Sequence, residues 1–133
     1  MVEEEIYPGT CIVLPKPGRQ IGHLWIVLTE PEENPPHVVI VNLTSRRQGA
    51  DTTVVLQPGD HPFIQHETVV LYHDAQIVPA EPILHLVLTV EGREFEDDAS
   101  KELLERIQRG LLESKFTPNK IKTYCRERFG FYE

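Results

Sequence analysis

Three histidines have the types and positions that acid–base chemistry requires. His23 stands at the start of an aliphatic segment, and His61 and His66 flank a short Pro-Phe-Ile segment in a predicted turn. Imidazole has an ordinary pKa of about 6.5, so a histidine can take or give a proton near neutral pH. We therefore interpret His23 and His61 as catalytic candidates and His66 as a substrate ligand. The structural alternative for each is a hydrogen-bonded or surface histidine.

Hydroxyl and guanidinium groups follow the next long aliphatic segment, in the order Thr44, Ser45, Arg46 and Arg47. A hydroxyl can hold a phosphate oxygen, and an arginine can neutralise charge that develops on it. We assign Thr44 to catalysis and the other three, with Arg19 of an earlier loop, to substrate binding. A metal site on His61, His66 and a third ligand such as His23 or Asp60 is an alternative, but the spacing is not a strong metal signature. No metal or cofactor is expected.

The elements that must position these residues are short strands bounded by Pro, Gly, Asn or Asp. Their spacing predicts a small antiparallel barrel or sandwich, and the continuous hydrophobicity of residues 37–41 predicts a strand covered on both faces. Prolines predict a loop over residues 30–36 and turns over 57–62 and 77–82. The strands are predicted over residues 10–14, 22–29, 37–44, 52–56 and 67–72, with an edge strand over 85–90.

Helical periodicity replaces the strand pattern from about Asp97. An amphipathic helix capped by Asp98 or Ser100 is expected, with Glu102/Arg106 and Glu105/Arg109 as ion pairs four residues apart. A second helix is predicted from Pro118 to about Arg128, with Thr117 as its cap. The fold class is therefore mainly β, with a barrel over residues 1–96 and a C-terminal helical extension, 97–133, packed on the same domain.

Composition limits the partners that this chain can have. Its 133 residues suit one domain, and the formal net charge of −8 repels nucleic acid at long range. Nucleic-acid binding would therefore depend on basic patches, either the loop arginines or a C-terminal cluster that includes Lys115, Lys120 and Arg126. The two cysteines, Cys11 and Cys125, are read as reduced thiols. The glutamate-rich start and the short apolar runs predict a cytoplasmic protein with no membrane span.

Several short motifs resemble the PemK/MazF family of small toxin ribonucleases. Pro8-Gly9 is similar to the family's opening turn, and residues 22–25 (GHLW) occupy the place of its Gly-His-Arg-Pro segment. Leu43-Thr44-Ser45 matches the end of a family strand, and residues 67–70 followed by 74–78 resemble a strand and its acidic, Gln-containing turn. The similarity covers roughly residues 7–84.

The resemblance implies an SH3-like barrel that dimerises, binds single-stranded RNA in a groove and is inhibited by an antitoxin protein. In the family an arginine and a threonine or serine carry metal-independent cleavage. Thr44 matches the hydroxyl, whereas Leu24 stands at the arginine's position, so that Arg19 or Arg46 would have to replace it. Two functions follow: an endoribonuclease with a divergent, histidine-based site, or a non-catalytic barrel that binds protein or nucleic acid.

Overall fold

A curled antiparallel sheet forms a half-barrel in the computed structural model, which describes residues 6–15, 22–83 and 94–130. Its six strands lie in the order β4-β5-β3-β2-β1-β6, and every neighbouring pair is antiparallel. The predicted mainly β class is confirmed. The strands are β1 Cys11–Pro15, β2 Gly22–Val27, β3 His37–Ser45, β4 Val55–Leu56, β5 Thr68–Pro79 and β6 Glu94–Glu96.

Strand β5 is much longer than the prediction for residues 67–72. It pairs with β3 in two stretches, and the register shifts between Ile40 and Asn42. The predicted turn over 77–82 is wrong in its first half, because β5 continues to Pro79, opposite His37. A proline is tolerated there because it stands at the end of the strand. Residues 80–83 are helical, and the edge strand predicted over 85–90 lies outside the described residues.

Strand β4 is shorter than the prediction for residues 52–56. A carboxylate oxygen of Asp51 accepts a hydrogen bond from the backbone N–H of Thr53 at 2.9 Å. Side-chain bonds of this kind compete with the ladder for backbone donors, so regular pairing begins only at Val55. The predicted loop over residues 30–36 is confirmed, and a bridge between Glu32 and His37 closes it.

Both faces of the sheet are covered, as the apolar pattern of β3 predicts. Val39, Val41 and Leu43 enter the main core with the C-terminal helices, whereas Val38 and Ile40 face a second cluster. That second cluster includes Trp25 and is completed by Ile6 and by residues of the helical segment after β5. Alternate side chains of one strand therefore stabilise two separate cores.

Helix α1, Lys101–Glu113, packs on the face of the sheet that carries the main core. Its predicted cap is confirmed, since the Ser100 hydroxyl accepts from the Leu103 N–H at 3.1 Å. The Tyr72 hydroxyl of β5 donates to the Ile107 carbonyl at 2.8 Å. The Glu105/Arg109 pair is confirmed at 2.9 Å. The prediction of a Glu102/Arg106 ion pair is wrong, because the Arg106 guanidinium donates to the Val55 carbonyl and pairs with Asp60 instead.

Helix α2, Asn119–Arg128, adds Ile121 and Cys125 to the main core. The predicted Thr117 cap is wrong: Pro118 stands at the cap position, and the Thr117 hydroxyl donates to the Leu111 carbonyl at 2.7 Å. Both helices thus share the core of the sheet. No helix in the described ranges is long and apolar enough to cross a membrane.

Candidate functional site

A groove of about 640 Å³ lies where β2 begins and β3 ends. Because β2, β3 and β5 are antiparallel neighbours, His23 near the start of β2, Ser45 at the end of β3 and Thr68 at the start of β5 meet at one end of the sheet. The loop before β5 forms another wall. The groove is lined by His23, Leu43, Thr44, Ser45, Arg47, Pro62, Phe63, Ile64, Gln65, His66, Thr68 and Glu96.

His23 is partly buried and has a defined tautomer in its neutral form. Its Nδ1 lies 3.3 Å from the Leu43 carbonyl oxygen, which can only accept, so Nδ1 carries the hydrogen. In the part of the chain that the structure describes, Nε2 of His23 has no hydrogen-bond partner. Nε2 is therefore a free proton acceptor in the groove.

His66 is the second histidine of the groove, and it was predicted only to bind substrate. Its Nε2 shares a hydrogen bond of 2.6 Å with the Ser45 hydroxyl. The Thr68 hydroxyl donates to the His66 carbonyl at 2.8 Å and fixes its backbone. The imidazole is exposed, but its orientation is held by Ser45. The groove thus contains two histidines on different elements, with Thr44 and Ser45 beside them.

The two neighbouring arginines differ in their charge environment. Arg46 forms an ion pair of 2.8 Å with Glu67, which also accepts from Gln57 at 3.0 Å. These hydrogen bonds from Gln57 and Arg46 lower the pKa of Glu67. Arg47 is exposed and, within the described ranges, forms no ion pair with a carboxylate. Arg47 also lines an adjacent hollow of about 600 Å³ that it shares with His66. It is therefore the cation best placed to meet an anionic ligand.

His61 does not line the groove, although it was predicted to be catalytic. Its side chain is only 3% exposed, and Nε2 lies 2.6 Å from the Asp97 carbonyl oxygen. The Phe63 N–H donates to Nδ1 at 3.0 Å, so Nε2 carries the hydrogen and donates to Asp97. Asp97 directly follows β6, whereas His61 follows β4, so this contact joins the two edges of the half-barrel. The geometry favours a structural role for His61.

The remaining predicted positions have mixed outcomes. Arg19 lies outside the described residues, and Leu24 is fully buried in the main core. In the described ranges, no group of three or more His, Cys, Asp and Glu side chains could hold a metal ion. His61 and His66 therefore form no metal site with another residue of those ranges.

Burial raises the pKa of Cys11 and of Cys125 to about 12, so neither thiol is a ready nucleophile.

The predicted site residues did not include four polar or aromatic side chains of the groove, namely Phe63, Gln65, Thr68 and Glu96. Glu96 brings a carboxylate from β6, and Phe63, for which a core role was favoured, is 38% exposed. Glu96 reaches the groove only because the sheet is curled, and no local pattern in the sequence indicates this. Phe63 did carry a signal, because it stands between two histidines in a turn.

No family model, curated protein or solved structure matches this chain.

Proposed function

We propose that the protein is a metal-independent endoribonuclease that cleaves single-stranded RNA. The observation that carries the proposal is the joint presence of His23, His66 and Arg47 in one groove. A base, an acid and a phosphate-binding cation are the groups that cleavage at a 2′-hydroxyl requires. The half-barrel is proposed to be a divergent SH3-like barrel of the PemK/MazF type, on the strength of the motif resemblance.

His23 is the general base of the proposed reaction. Its Nε2 takes the proton of the ribose 2′-hydroxyl, and the 2′-oxygen attacks the adjacent phosphorus. The bond from phosphorus to the 5′-oxygen then breaks. His66, protonated and oriented by Ser45, gives its proton to that oxygen. The products are a 2′,3′-cyclic phosphate and a free 5′-hydroxyl, and a proton exchange with water restores both histidines.

Arg47 and Thr44 stabilise the negative charge of the phosphorane in this proposal. Within the described ranges Arg47 forms no ion pair, although Glu96 lines the same groove, so its guanidinium can bind the phosphate. Thr44 lies beside it at the end of β3 and supplies a hydroxyl donor. Arg47 therefore replaces the family's arginine, whose position is taken by the buried Leu24.

The decisive experiment incubates the purified chain with a long single-stranded RNA in EDTA and maps the fragment ends. His23→Ala and His66→Ala should each lower the cleavage rate by about 100-fold or more, in the range typical of lost acid–base groups. His73→Ala is the matched control, because this exposed histidine lies on β5 outside the groove. A 2′-deoxy nucleotide at a mapped site should stop cleavage there.

A non-catalytic binding module is the second candidate, and the burial of Leu24 in the core favours it. RNA that stays intact with the parent chain, but binds to it, would support this candidate and refute the nuclease. Cleavage that survives both histidine substitutions would refute the proposed mechanism, but the protein would still be a ribonuclease. The two functions are therefore separated by one set of digests and one binding assay.

We also propose that the protein is a homodimer and that an antitoxin protein is its partner. Both rest on the family resemblance. Sedimentation of the purified chain tests the dimer, and a mass near that of one 15.3 kDa chain would contradict it.

A further inference from the structure

We propose that Phe63 is a stacking platform for one unpaired nucleobase, next to Arg47 as the site of the adjoining phosphate. This inference rests on the proposed function and specifies how the groove recognises its ligand. The ligand class is a single-stranded oligonucleotide with an accessible base face.

Phe63 is one of the few large apolar side chains that are exposed in the described ranges. Three large apolar side chains are exposed among the described residues, namely Tyr7, Phe63 and Phe116. Of these, Phe63 is the one that lines the groove. An aromatic ring held at 38% exposure on the wall of a concave site leaves a face that a flat ligand can cover.

The backbone that carries this ring is held in place before any ligand arrives. The Phe63 N–H donates to the buried His61, and the Ile64 N–H donates to the His61 carbonyl at 2.9 Å. Ile64 itself is buried in the main core. His61 in turn contacts the Asp97 carbonyl across the edge of the half-barrel. A ring on a fixed loop loses little conformational freedom on binding, which favours stacking.

The other groove residues favour a nucleotide over an apolar peptide. Gln65 follows Phe63 along the same wall, and its amide can both donate to and accept from a base edge. Arg47 supplies a positive charge without an ion-pair partner in the described ranges. A flat aromatic ring, polar neighbours and the Arg47 guanidinium together match a base attached to a phosphate. A base inside a duplex has both faces covered, so the site requires a single strand.

The test uses a fluorescein-labelled 2′-O-methyl RNA 12-mer, which can bind but cannot be cleaved. Phe63→Ala should weaken binding by about 5- to 100-fold, as loss of base stacking does elsewhere. Phe63→Trp should retain binding. Phe63→Leu should bind as weakly as the alanine variant, because it keeps apolar surface and loses the aromatic face. Phe116→Ala, at the exposed aromatic outside the groove, should leave binding unchanged.

A second probe with abasic sites in place of bases distinguishes stacking from indirect effects. Abasic sites should weaken binding by the parent more than binding by Phe63→Ala, since the variant has already lost the stacking interaction. Equal binding of the 12-mer by the parent and Phe63→Ala would overturn the platform, even if natural RNA is cleaved. Failure of the parent to bind the 12-mer would also overturn it. Binding that depends on Phe63 without cleavage of natural RNA would refute the nuclease alone.

Discussion

Asp51 is a buried carboxylate that ties the loop after β3 to the end of α1. It accepts from the Ser114 hydroxyl at 2.6 Å and from the Thr53 N–H at 2.9 Å. Burial raises the pKa of Asp51, but the hydrogen bonds from Ser114 and Thr53 outweigh it, and the net pKa is below the ordinary 3.8. A lowered pKa means that Asp51 stabilises the fold above the pKa of the unfolded state. That contribution is lost as the pH falls through the folded pKa.

Asp51→Asn should therefore lower the free energy of unfolding at pH 7 by roughly 1–3 kcal/mol, because the amide is a weaker acceptor and leaves buried donors poorly paired. The difference from the parent should shrink below about pH 3.8, where the unfolded carboxylate is already protonated. Urea titrations of both proteins between pH 2.5 and 7 measure this difference in the free energy of unfolding. Glu81→Gln, at an exposed carboxylate, is the control. A difference that stays constant with pH would contradict the role of the ionised carboxylate.

His61 differs from His23 and His66 by its hydrogen bonds, and this gives a prediction about stability. His61→Ala removes the donor to Asp97 and the acceptor for Phe63, so it should lower the free energy of unfolding by roughly 1–3 kcal/mol. His61→Gln should restore part of the loss, since an amide can both donate and accept. His66→Ala should cost much less, because His66 is exposed. A variant His61→Ala that is as stable as the parent but inactive would restore the catalytic interpretation.

At the scale of elements, the contact between α1 and β5 depends on a glycine. Gly110 is buried on α1, and a Cβ there would overlap the Tyr72 hydroxyl and the Val54 side chain. The sequence alone marks Gly110 only as a weak point of the helix. In the structure, its missing side chain is what allows the helix to approach the sheet.

Gly110→Ala should destabilise the fold by about 2 kcal/mol, because the cost of overpacking exceeds the gain in helix propensity. Tyr72→Phe removes the hydroxyl and should reduce the cost of Gly110→Ala when the two are combined, so that the changes are not additive. Chemical denaturation of the parent, both single variants and the double variant gives the coupling. Lys101→Ala serves as an exposed helix control. Additive losses would show that the Tyr72 hydroxyl is not the obstacle.

Local patterns predict the elements of this fold better than they predict its long-range contacts. Leu103, Ile107 and Leu111 recur at four-residue intervals in the sequence, which predicts an apolar helix face, and all three are buried in the structure. Arg106 was assigned to Glu102 on the same rule, but tertiary packing brings the Val55 carbonyl and Asp60 within its reach. Such a contact spans 51 residues and has no signature in the chain.

The candidate site follows the same division. His23 near the start of β2 and Thr44 near the end of β3 meet at one groove because strands that follow each other in the chain pair antiparallel. The sequence shows this order of strands directly. The loop of residues 57–66 is different, because its two histidines look equivalent in the sequence. Only the curl of the sheet, which brings Asp97 to His61, decides that His61 is buried and His66 is exposed.

At the scale of the whole molecule, a net charge of −8 must be reconciled with the proposed binding of an anionic polymer. Long-range repulsion slows association, so affinity must come from close contacts in the groove. Arg46 is paired with Glu67, so Arg47 is the main phosphate contact of the proposal. Each phosphate that is neutralised on a single strand contributes a slope of about −0.7 to log K against log salt. One or two contacts therefore predict a slope between about −0.7 and −1.4.

Affinity measured with the 2′-O-methyl 12-mer between 50 and 300 mM salt tests this value. Arg47→Ala should reduce the slope by about 0.7, because one phosphate contact is lost. Lys120→Ala removes the same charge from the exposed start of α2 and should leave the slope unchanged, since the effect is local and the net charge of the two variants is equal. A slope of about −3 or steeper, reduced by Lys120→Ala, would mean that the C-terminal basic cluster binds the strand. The groove would then be only part of a larger nucleic-acid surface.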